Sequence, residues 1–268
     1  MKTKIVSYNI LNGFTPDDKP YTLNQERKNA AIKALEKEKP DVLILCEGYF
    51  WPSAKKDTLK DFKKLFNNLT NVFLPAENMF RWAPVIFSKF PIKFSDFSEY
   101  HRKYIRSEIS VGKKKIILDV YHPSPDKITE EDRVDFLAKV LEKNLGNHII
   151  AGDFNAISPE DEYDRSQLLR GFSKFMGPSA EAKVNELMKA KTVKFVLDKG
   201  FVDTYKIKEQ KEKYTVPTDF RSKNKDAAIR IDYIFCSKDI KIIDAGIIKN
   251  KFTEIASDHY PIYAVLKI

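Results

Sequence analysis

Residues 148–159 read His-Ile-Ile-Ala-Gly-Asp-Phe-Asn-Ala-Ile-Ser-Pro. A short apolar run ends at Gly152 and is followed by Asp153 and Asn155, a pattern typical of a buried strand with polar side chains at its carboxyl end. On an extended chain these two residues point to the same side, because side chains alternate with a period of two. A carboxylate beside an amide suits a site that holds a hard cation and a phosphate oxygen. Taken alone, the same residues also fit an Asx-rich turn that closes a strand.

Two earlier segments also carry a polar side chain at the end of a predicted strand. Residues 4–10 alternate and place Asn9 near their end, whereas residues 41–46 are mostly apolar and stop at Glu47. Between them, residues 23–38 have the apolar period of an amphipathic helix. A strand, a helix and a strand in this order predict a layered α/β fold. A carboxylate directly after a buried strand is hard to explain by core packing alone.

The second half of the chain shows the same arrangement. The polar residues are Tyr121 and His122 at the end of a hairpin over residues 104–122, Asp232 in a strand over residues 229–236, and Asp258 with His259 ahead of a strand over residues 260–268. Ends of neighbouring strands in a layered fold can meet at one crevice. Carboxylates crowded together in this way repel each other unless a divalent cation lies among them.

The other segments complete a single unit. Three more helices are predicted, over residues 55–69, from Thr129 onward and over residues 180–197. Thr129 and Asp132 have the spacing of a capping box, which marks the start of the second of these helices. Residues 158–200 are a long polar and helical connection in which no element is predicted for the first part, and residues 206–227 are charged and loop-like, with no clear period. No repeat or linker divides the chain, so we expect one domain over residues 1–268.

Composition indicates a globular protein. Hydrophobic residues make up 43% of the 268 residues and charged residues 32%, which excludes a disordered chain. No apolar run approaches the roughly 20 residues that cross a bilayer, and no apolar leader precedes the first strand. We therefore expect a cytoplasmic protein without a membrane span. Cys46 and Cys236 both end apolar runs and are expected to be core thiols rather than a disulfide or a metal pair.

The charge of the chain indicates its partners only in part. A net charge of +9 favours partners that carry phosphates, and nucleic acid is the expected one. Because the lysines are spread along the whole chain, the excess also fits a solvated surface. Trp51 and Trp82 could stack on bases, although packing in the core or at its rim is the commoner role. Nothing in the sequence indicates a protein partner, and we expect a monomer.

Five of these motifs, in this order, resemble the endonuclease/exonuclease/phosphatase superfamily, which includes DNase I, exonuclease III and neutral sphingomyelinases. The motifs are Ser7-Tyr8-Asn9-Ile10, Glu47 after its apolar run, Gly152-Asp153-Phe154-Asn155-Ala156, Arg230-Ile231-Asp232-Tyr233-Ile234 and Ser257-Asp258-His259. Each is weak alone, but together they span nearly the whole chain. The resemblance implies a DNase I-like, four-layered α/β/β/α sandwich and cleavage of a phosphate ester with Mg²⁺, for which Mn²⁺ can substitute.

The resemblance also implies a role for each residue. Glu47 resembles the principal metal ligand, with Asn9 and Asp258 beside it. Asp153 resembles the residue that orients or deprotonates the attacking water. Asn155 resembles the residue that steadies a phosphate oxygen.

The remaining candidates concern the phosphate and the leaving group. His259 resembles the residue that contacts the phosphate, with Asp232 hydrogen-bonded behind it, and a carboxylate on one imidazole nitrogen fixes the tautomer and favours the cation. Some branches of the superfamily place a tyrosine at the end of the middle strand and others a histidine, so Tyr121 and His122 are both catalytic candidates. His122 is preferred, since an imidazole can protonate a leaving oxygen near neutral pH. Arg106 is a further candidate for binding the substrate.

Two departures from the superfamily pattern argue against repair of abasic sites. Leu11 stands where the apurinic endonucleases carry an acidic ligand, and Tyr214 to Phe220 stands in place of their tryptophan-containing loop. The leading hypothesis is therefore a phosphodiesterase that cleaves DNA or RNA by in-line attack of an activated water. The alternative is a phosphatase or phosphodiesterase acting on a small or lipid-headgroup ester. An inactive binding protein is a third possibility, which the intact set of costly polar groups disfavours.

Overall fold

The structure is a computed structural model, which describes residues 1–16, 22–48, 52–68, 70–74, 83–98, 104–141, 146–208 and 210–268. Trp51 and Trp82, considered above for base stacking, lie outside these ranges. The strands are β1 (Lys2–Asn9), β2 (Val42–Cys46), β3 (Asn71–Phe73), β4 (Val85–Ser88), β5 (Ile92–Ser98), β6 (Tyr104–Val111), β7 (Lys114–Tyr121), β8 (His148–Asp153), β9 (Phe201–Asp203), β10 (Asp232–Ser237), β11 (Lys241–Ile247) and β12 (Ile262–Lys267). The α-helices are α1 (Gln25–Glu36), α2 (Pro52–Lys64), α3 (Glu130–Val140), α4 (Arg165–Met176), α5 (Ala180–Met188), α6 (Lys191–Asp198) and α7 (Thr253–Ala256).

Within the described residues, these strands form two sheets. The first has the order β11-β12-β1-β2-β4-β3, and the second has the order β5-β6-β7-β8-β10-β9. In the first sheet β1 and β2 are parallel, and in the second β7 and β8 are parallel. Parallel neighbours end at the same edge of a sheet, so each sheet brings two carboxyl ends together.

An apolar layer lies between the two sheets because their strands are buried on both faces. In β2, Val42 and Ile44 belong to the layer shared with the second sheet, whereas Leu43 and Leu45 face the helices on the outside. The outer face of the second sheet is covered by α3 and α6. The result is the expected four-layered α/β/β/α sandwich. Among the described residues, no helix has both the length and the apolar character needed to span a bilayer.

Both cysteines lie in the layer between the sheets. Cys46 and Cys236 are buried there and neither forms a disulfide, as predicted. Burial raises the pKa of both thiols, which keeps them neutral.

The segment after β8 differs from the sequence-based prediction. The single helix predicted over residues 180–197 is two helices, α5 and α6, because the chain turns at Ala190, whose φ is 50°. Residues 158–179, for which no element is predicted, contain α4. This helix begins after Asp164, whose side chain accepts a hydrogen bond from the backbone N–H of Gln167.

A buried ion-pair cluster joins the middle strands of the second sheet. Nε and Nη2 of Arg106 donate to the two carboxylate oxygens of Asp119 at 2.8 and 2.7 Å, and His148 Nε2 lies 2.7 Å from Asp119 Oδ2. Nη2 of Arg106 also donates to the carbonyl of Val140. The guanidinium is thus held by an internal ion pair, which corrects the prediction that Arg106 binds the substrate.

We expect this cluster to make the free energy of unfolding depend on pH in the acidic range. Burial alone would raise the pKa of Asp119, but hydrogen bonds from Arg106 and His148 outweigh it and hold the pKa below its usual value. A lowered folded-state pKa stabilises the fold above about pH 4, and this contribution is lost as the pH falls through the folded-state pKa. Asp119→Asn should therefore cost about 3 kcal/mol at pH 7, and the difference from the parent should shrink below about pH 4. Urea unfolding across this pH range measures it.

Asp198→Asn is the control for this measurement. Asp198 pairs with Lys194 on the surface of α6, where both side chains are about 60% exposed. Its substitution should change the free energy of unfolding by less than about 0.5 kcal/mol. A pH-independent effect of Asp119→Asn would contradict the role given to the ion pairs.

Candidate active site

The ends of β1, β2 and β8 bring three predicted site residues into contact. Nδ2 of Asn9 donates to Asp153 Oδ2 at 3.0 Å and lies 3.4 Å from Glu47 Oε1. The other Glu47 oxygen accepts from the backbone N–H of Asn12 at 2.7 Å. Glu47 adopts a φ of 56°, a left-handed conformation that is uncommon for a residue with a side chain and that recurs at functional sites.

The period of two explains why these side chains meet. Asp153 continues the row of Ile149 and Ala151, which lies in the layer between the sheets. His122 continues the row that contains Val120 in the neighbouring strand. His122 Nε2 accordingly lies 3.7 Å from both Asp153 Oδ2 and Glu47 Oε1. The site therefore lies where the apolar layer between the sheets ends.

Tyr121 points to the opposite side of β7 from His122. Its ring stacks on Phe136, with centroids 5.9 Å apart, and meets the edge of Phe154 at 5.2 Å, inside the cluster under α3 and α6. Of the two candidates on this strand, the structure brings His122 to the site. The catalytic role considered for Tyr121 is corrected to core packing.

His259 joins the second sheet to the site through two carboxylates. Its Nδ1 lies 2.8 Å from Asp232 Oδ2, and its Nε2 lies 3.8 Å from Asp153 Oδ2. Asp232 and Asp153 are directly opposite each other in the β8–β10 pair. Burial alone would lower the pKa of His259, but the carboxylates of Asp232 and Asp153 outweigh it and raise the pKa well above the usual value. The two carboxylates thus favour the protonated form of His259.

Asp153 is buried and carries an unusual pKa. Burial raises the pKa of its carboxyl, the nearby His259 lowers it, and Asp232 raises it again, so that the net shift is upward. A carboxylate with a raised pKa is a stronger base than an exposed one.

Asp258 reaches the same site through Ser257. The hydroxyl of Ser257 lies 2.7 Å from the backbone oxygen of Asn9 and 3.3 Å from Asp258 Oδ1. The side chain of Asn9 in turn contacts Glu47. The carboxylates of Glu47 and Asp258 are therefore connected through Asn9 and Ser257. Both acids thus lie at the same edge of the molecule.

Asn155 lies in a turn rather than on an extended strand. The strand ends at Asp153, and Asn155 has a φ of 49°. Its backbone N–H donates to Asp153 Oδ1 at 2.9 Å, which is an Asx turn, and its Nδ2 donates to the carbonyl of Pro123 at 3.0 Å. The prediction of two side chains on one extended face is therefore wrong, although the turn returns the amide to within 3.4 Å of Asp153 Oδ2.

Comparison with known proteins gives the family of the chain. The model of the "Endonuclease/Exonuclease/phosphatase family" matches residues 6–259. The chain belongs to this family. It is accordingly a phosphoric ester hydrolase of a family that generally depends on divalent metal ions. The sequence has no match among curated proteins.

Solved structures share the fold over nearly the whole chain. A family protein from Leptotrichia buccalis is 16% identical, with a TM-score of 0.64 and coverage of 99% of this chain and 100% of the other. TDP2 from D. rerio, solved with a single-stranded DNA product, is 18% identical, with a TM-score of 0.61 and coverage of 100% and 99%. Truncated TDP2 from Caenorhabditis elegans is 17% identical, with a TM-score of 0.62 and coverage of 100% and 98%. At these identities the likeness shows the fold alone.

The donor set of this family member fits a hard divalent cation. Oxygens of Glu47 and Asp153 both lie within 3.7 Å of the same His122 nitrogen, and Asp153 and Asp232 are directly opposite each other in the β8–β10 pair. Buried carboxylates at this spacing repel each other, and a cation would relieve the repulsion. Asn9 turns its amide nitrogen toward the acids, so its predicted role as a metal ligand would require the amide to rotate.

Two contributors to the site were missed from the sequence. Ser257 connects Asn9 to Asp258, and its place in the Ser-Asp-His motif was the available signal. Asn12 contributes a backbone N–H to Glu47 from a tight turn, where Leu11 and Asn12 have φ values of 50° and 54°. No side-chain pattern indicates a backbone donor.

Gly152 allows the site strand to approach its neighbour. Its φ is 139°, and a Cβ at this position would lie 2.2 Å from the carbonyl oxygen of Tyr121. A side chain here would push β8 away from β7 just before Asp153. The glycine therefore keeps the Asp153 and His122 ends of these strands together.

Gly152→Ala should destabilise the protein by about 3 kcal/mol, because the methyl group meets backbone that cannot move aside. Gly112→Ala is the matched control, since Gly112 has a φ of 61° but no atom within 4 Å of the position that a methyl group would take. The control should cost only about 1 kcal/mol of backbone strain. Chemical denaturation measures both, and equal losses would contradict the role of close approach.

Proposed function

We propose that the protein hydrolyses phosphodiester bonds by in-line attack of a water molecule, with Mg²⁺ as cofactor. The observation that carries this proposal is the convergence of Asp153, His122 and the His259–Asp232 pair on one crevice beside Glu47. The arrangement combines a base, two imidazoles and acidic groups suited to a cation. These are the parts that attack on a phosphorus atom requires.

Asp153 is proposed to remove the proton from the attacking water. Its Oδ1 accepts a hydrogen bond from the backbone N–H of Asn155, and its Oδ2 accepts one from the side-chain amide of Asn9. These two hydrogen bonds orient the carboxylate, and its raised pKa suits a base. A positioned base typically adds about 100- to 10,000-fold in rate.

His259 and Asn155 are proposed to bind the phosphate. The imidazolium of His259 can offset the negative charge that develops on the phosphoryl oxygens, while Asp232 positions its ring. The side-chain amide nitrogen of Asn155 has two contacts. The longer one, 3.4 Å to Asp153 Oδ2, is the one that a phosphate oxygen would replace. His122 is proposed to protonate the leaving oxygen.

Glu47 and Asp258 are proposed to hold the Mg²⁺. Asp153 and Asp232 form the ion pairs with His259, whereas Glu47 and Asp258 are connected to each other through Asn9 and Ser257. When bound, the ion would act as a Lewis acid that stabilises negative charge on the phosphate. Mn²⁺ has the same preference for oxygen ligands and should substitute.

Two substrates are considered. Nucleic acid is supported by the net charge of +9 and by the single-stranded DNA product in the structure of D. rerio TDP2, which shares the fold. A small or lipid-type phosphodiester is supported by a pocket of about 640 Å³ that opens from Asn155, Asp258 and His259. A pocket of this volume is typical of sites for small organic ligands.

Glu47→Gln and Asp153→Asn should have different effects if these roles hold. Glu47→Gln should raise the Mg²⁺ concentration for half-maximal activity by at least about tenfold, because it removes an anionic ligand. Asp153→Asn should lower kcat by about 100- to 10,000-fold at saturating Mg²⁺. Steady-state rates on bis(p-nitrophenyl) phosphate over a Mg²⁺ titration measure both effects.

Asp198→Asn removes an exposed acid on α6, remote from this crevice in the fold, and should change neither quantity. Mn²⁺ binding followed by electron paramagnetic resonance gives metal affinity independently of turnover. Equal metal affinity together with equal residual rate in the Glu47 and Asp153 variants would contradict the assignment.

The two substrate candidates are separated by direct competition. Nuclease activity predicts that supercoiled plasmid or single-stranded DNA is cleaved with Mg²⁺ and that Asp153→Asn abolishes cleavage. Activity on small esters predicts turnover of a panel of alkyl and aryl phosphodiesters with no cut in either DNA. Gel electrophoresis and phosphate-ester assays on the same preparation decide between them.

A further inference from the structure

A pocket beside the catalytic crevice is built largely by residues outside the five family motifs. It holds about 640 Å³, and Asn155, Asp258 and His259 form part of its wall. The opposite wall comes from the α4–α5 segment and from the chain on either side of the bridge between Val216 and Ile229. A group attached to a phosphate at His259 would therefore enter this pocket directly.

The wall away from the crevice is largely apolar. Its side chains include Phe172, Phe175, Met176, Leu187, Val216 and Ile229. Phe172 and Leu187 belong to the buried cluster that anchors α4 and α5, whereas Phe175 is 65% exposed. An aromatic side chain left this exposed at the mouth of a pocket offers contact area to a ligand.

Lys183 places a cation on the same wall. Its side chain is only 17% exposed, and its Nζ donates to the carbonyl of Pro125 at 2.8 Å. The carboxylate of Asp126 is 3.8 Å away and is largely exposed to solvent, so it balances the charge weakly. Burial lowers the pKa of Lys183, in keeping with an ammonium that has lost much of its water. Such a group gains from an anionic ligand.

We propose that this pocket binds a bulky apolar group esterified to the scissile phosphate, with Lys183 contacting an anionic oxygen of the same substrate. The apolar wall then contacts the organic group, while His259 and Lys183 hold the phosphate between them. The substrate class is an amphiphilic phosphodiester. The inference rests on the proposed function, because it assigns the pocket to a group joined to the phosphate at His259.

Binding of two phosphonates tests the proposal without turnover, since their carbon–phosphorus bond is not hydrolysed. With Mg²⁺ present, octylphosphonate should bind the full-length protein at least about tenfold more tightly than methylphosphonate, because its chain is removed from water. Phe175→Ala should reduce that preference by about three- to tenfold, because it weakens the binding of octylphosphonate and leaves the dissociation constant of methylphosphonate unchanged. Isothermal titration calorimetry gives each dissociation constant.

Lys183 is tested by a substitution that keeps its length. Lys183→Met should weaken the binding of both phosphonates by about tenfold or more. Lys183→Arg should keep most of the affinity, because the contact requires a positive charge rather than the shape of the lysine side chain. Lys194→Met, on the exposed face of α6, is the matched control and should have no effect. Met188→Ala is the control for Phe175, since Met188 is also exposed but lies outside this pocket.

Three results would overturn the inference. Equal dissociation constants for octylphosphonate and methylphosphonate would show that the pocket takes no apolar group. Thymidine 5′-monophosphate binding as tightly as octylphosphonate would assign the pocket to a nucleoside instead. A preference for octylphosphonate that survives Phe175→Ala would place the apolar contact elsewhere.

Failure of the proposed function would look different. If no phosphodiester is hydrolysed with Mg²⁺ or Mn²⁺, the catalytic proposal fails, while the phosphonate preference and its dependence on Phe175 still decide the pocket. If diesters are hydrolysed without regard to the size of their apolar group and the two phosphonates bind equally, the catalytic proposal stands and the pocket assignment fails.

Discussion

The apolar layer between the two sheets is the constraint on which the site depends. Side chains alternate along a strand, so a polar residue that extends an inward-facing row must occupy the same layer. Asn9, His122, Asp153 and Asp232 extend four such rows beyond their last apolar members. Because the layer excludes water, these groups contact one another or the neighbouring side chains of Glu47 and His259. The contacts among them follow from where the core ends, and a change in strand register would disperse all four at once.

This arrangement concentrates negative charge. Asp153 and Asp232 are direct partners across antiparallel strands, and both are buried. His259, whose pKa these carboxylates raise, offsets part of the repulsion when protonated, and Glu47 adds a further acid beside Asp153. A phosphate would bring still more negative charge into the same space. A divalent cation would offset this charge, which connects the geometry of the acids to the general metal dependence of the family.

Much of this site followed from the sequence because its members end predicted strands. The choice between Tyr121 and His122 was also accessible, since His122 shares the parity of Val120 and the inward row. Arg106 could have been excluded in the same way, because the predicted hairpin places it opposite Asp119, its partner in the structure. The turn at Asn155 was available from the sequence only as the alternative to an extended strand, and the sequence did not decide between the two. The turn depends on hydrogen bonds to Asp153 and to Pro123, and the latter contact arises only in the folded chain.

The α4 helix was not predicted, and together with α5 it shapes the pocket. The apolar residues of α4 pack against the chain leading into β10, about 60 residues later, so the packing partner of this helix cannot be predicted from the local sequence. At Gly171 a Cβ would lie 2.4 Å from the backbone nitrogen of Ala227, which means that α4 rests directly on that chain. The contact fixes the pocket wall relative to Asp232 and therefore to His259. Substitutions on the side of α4 that lines the pocket would therefore change which organic group the pocket accepts. The side chains at the strand ends, which carry the proposed phosphate chemistry, would stay in place.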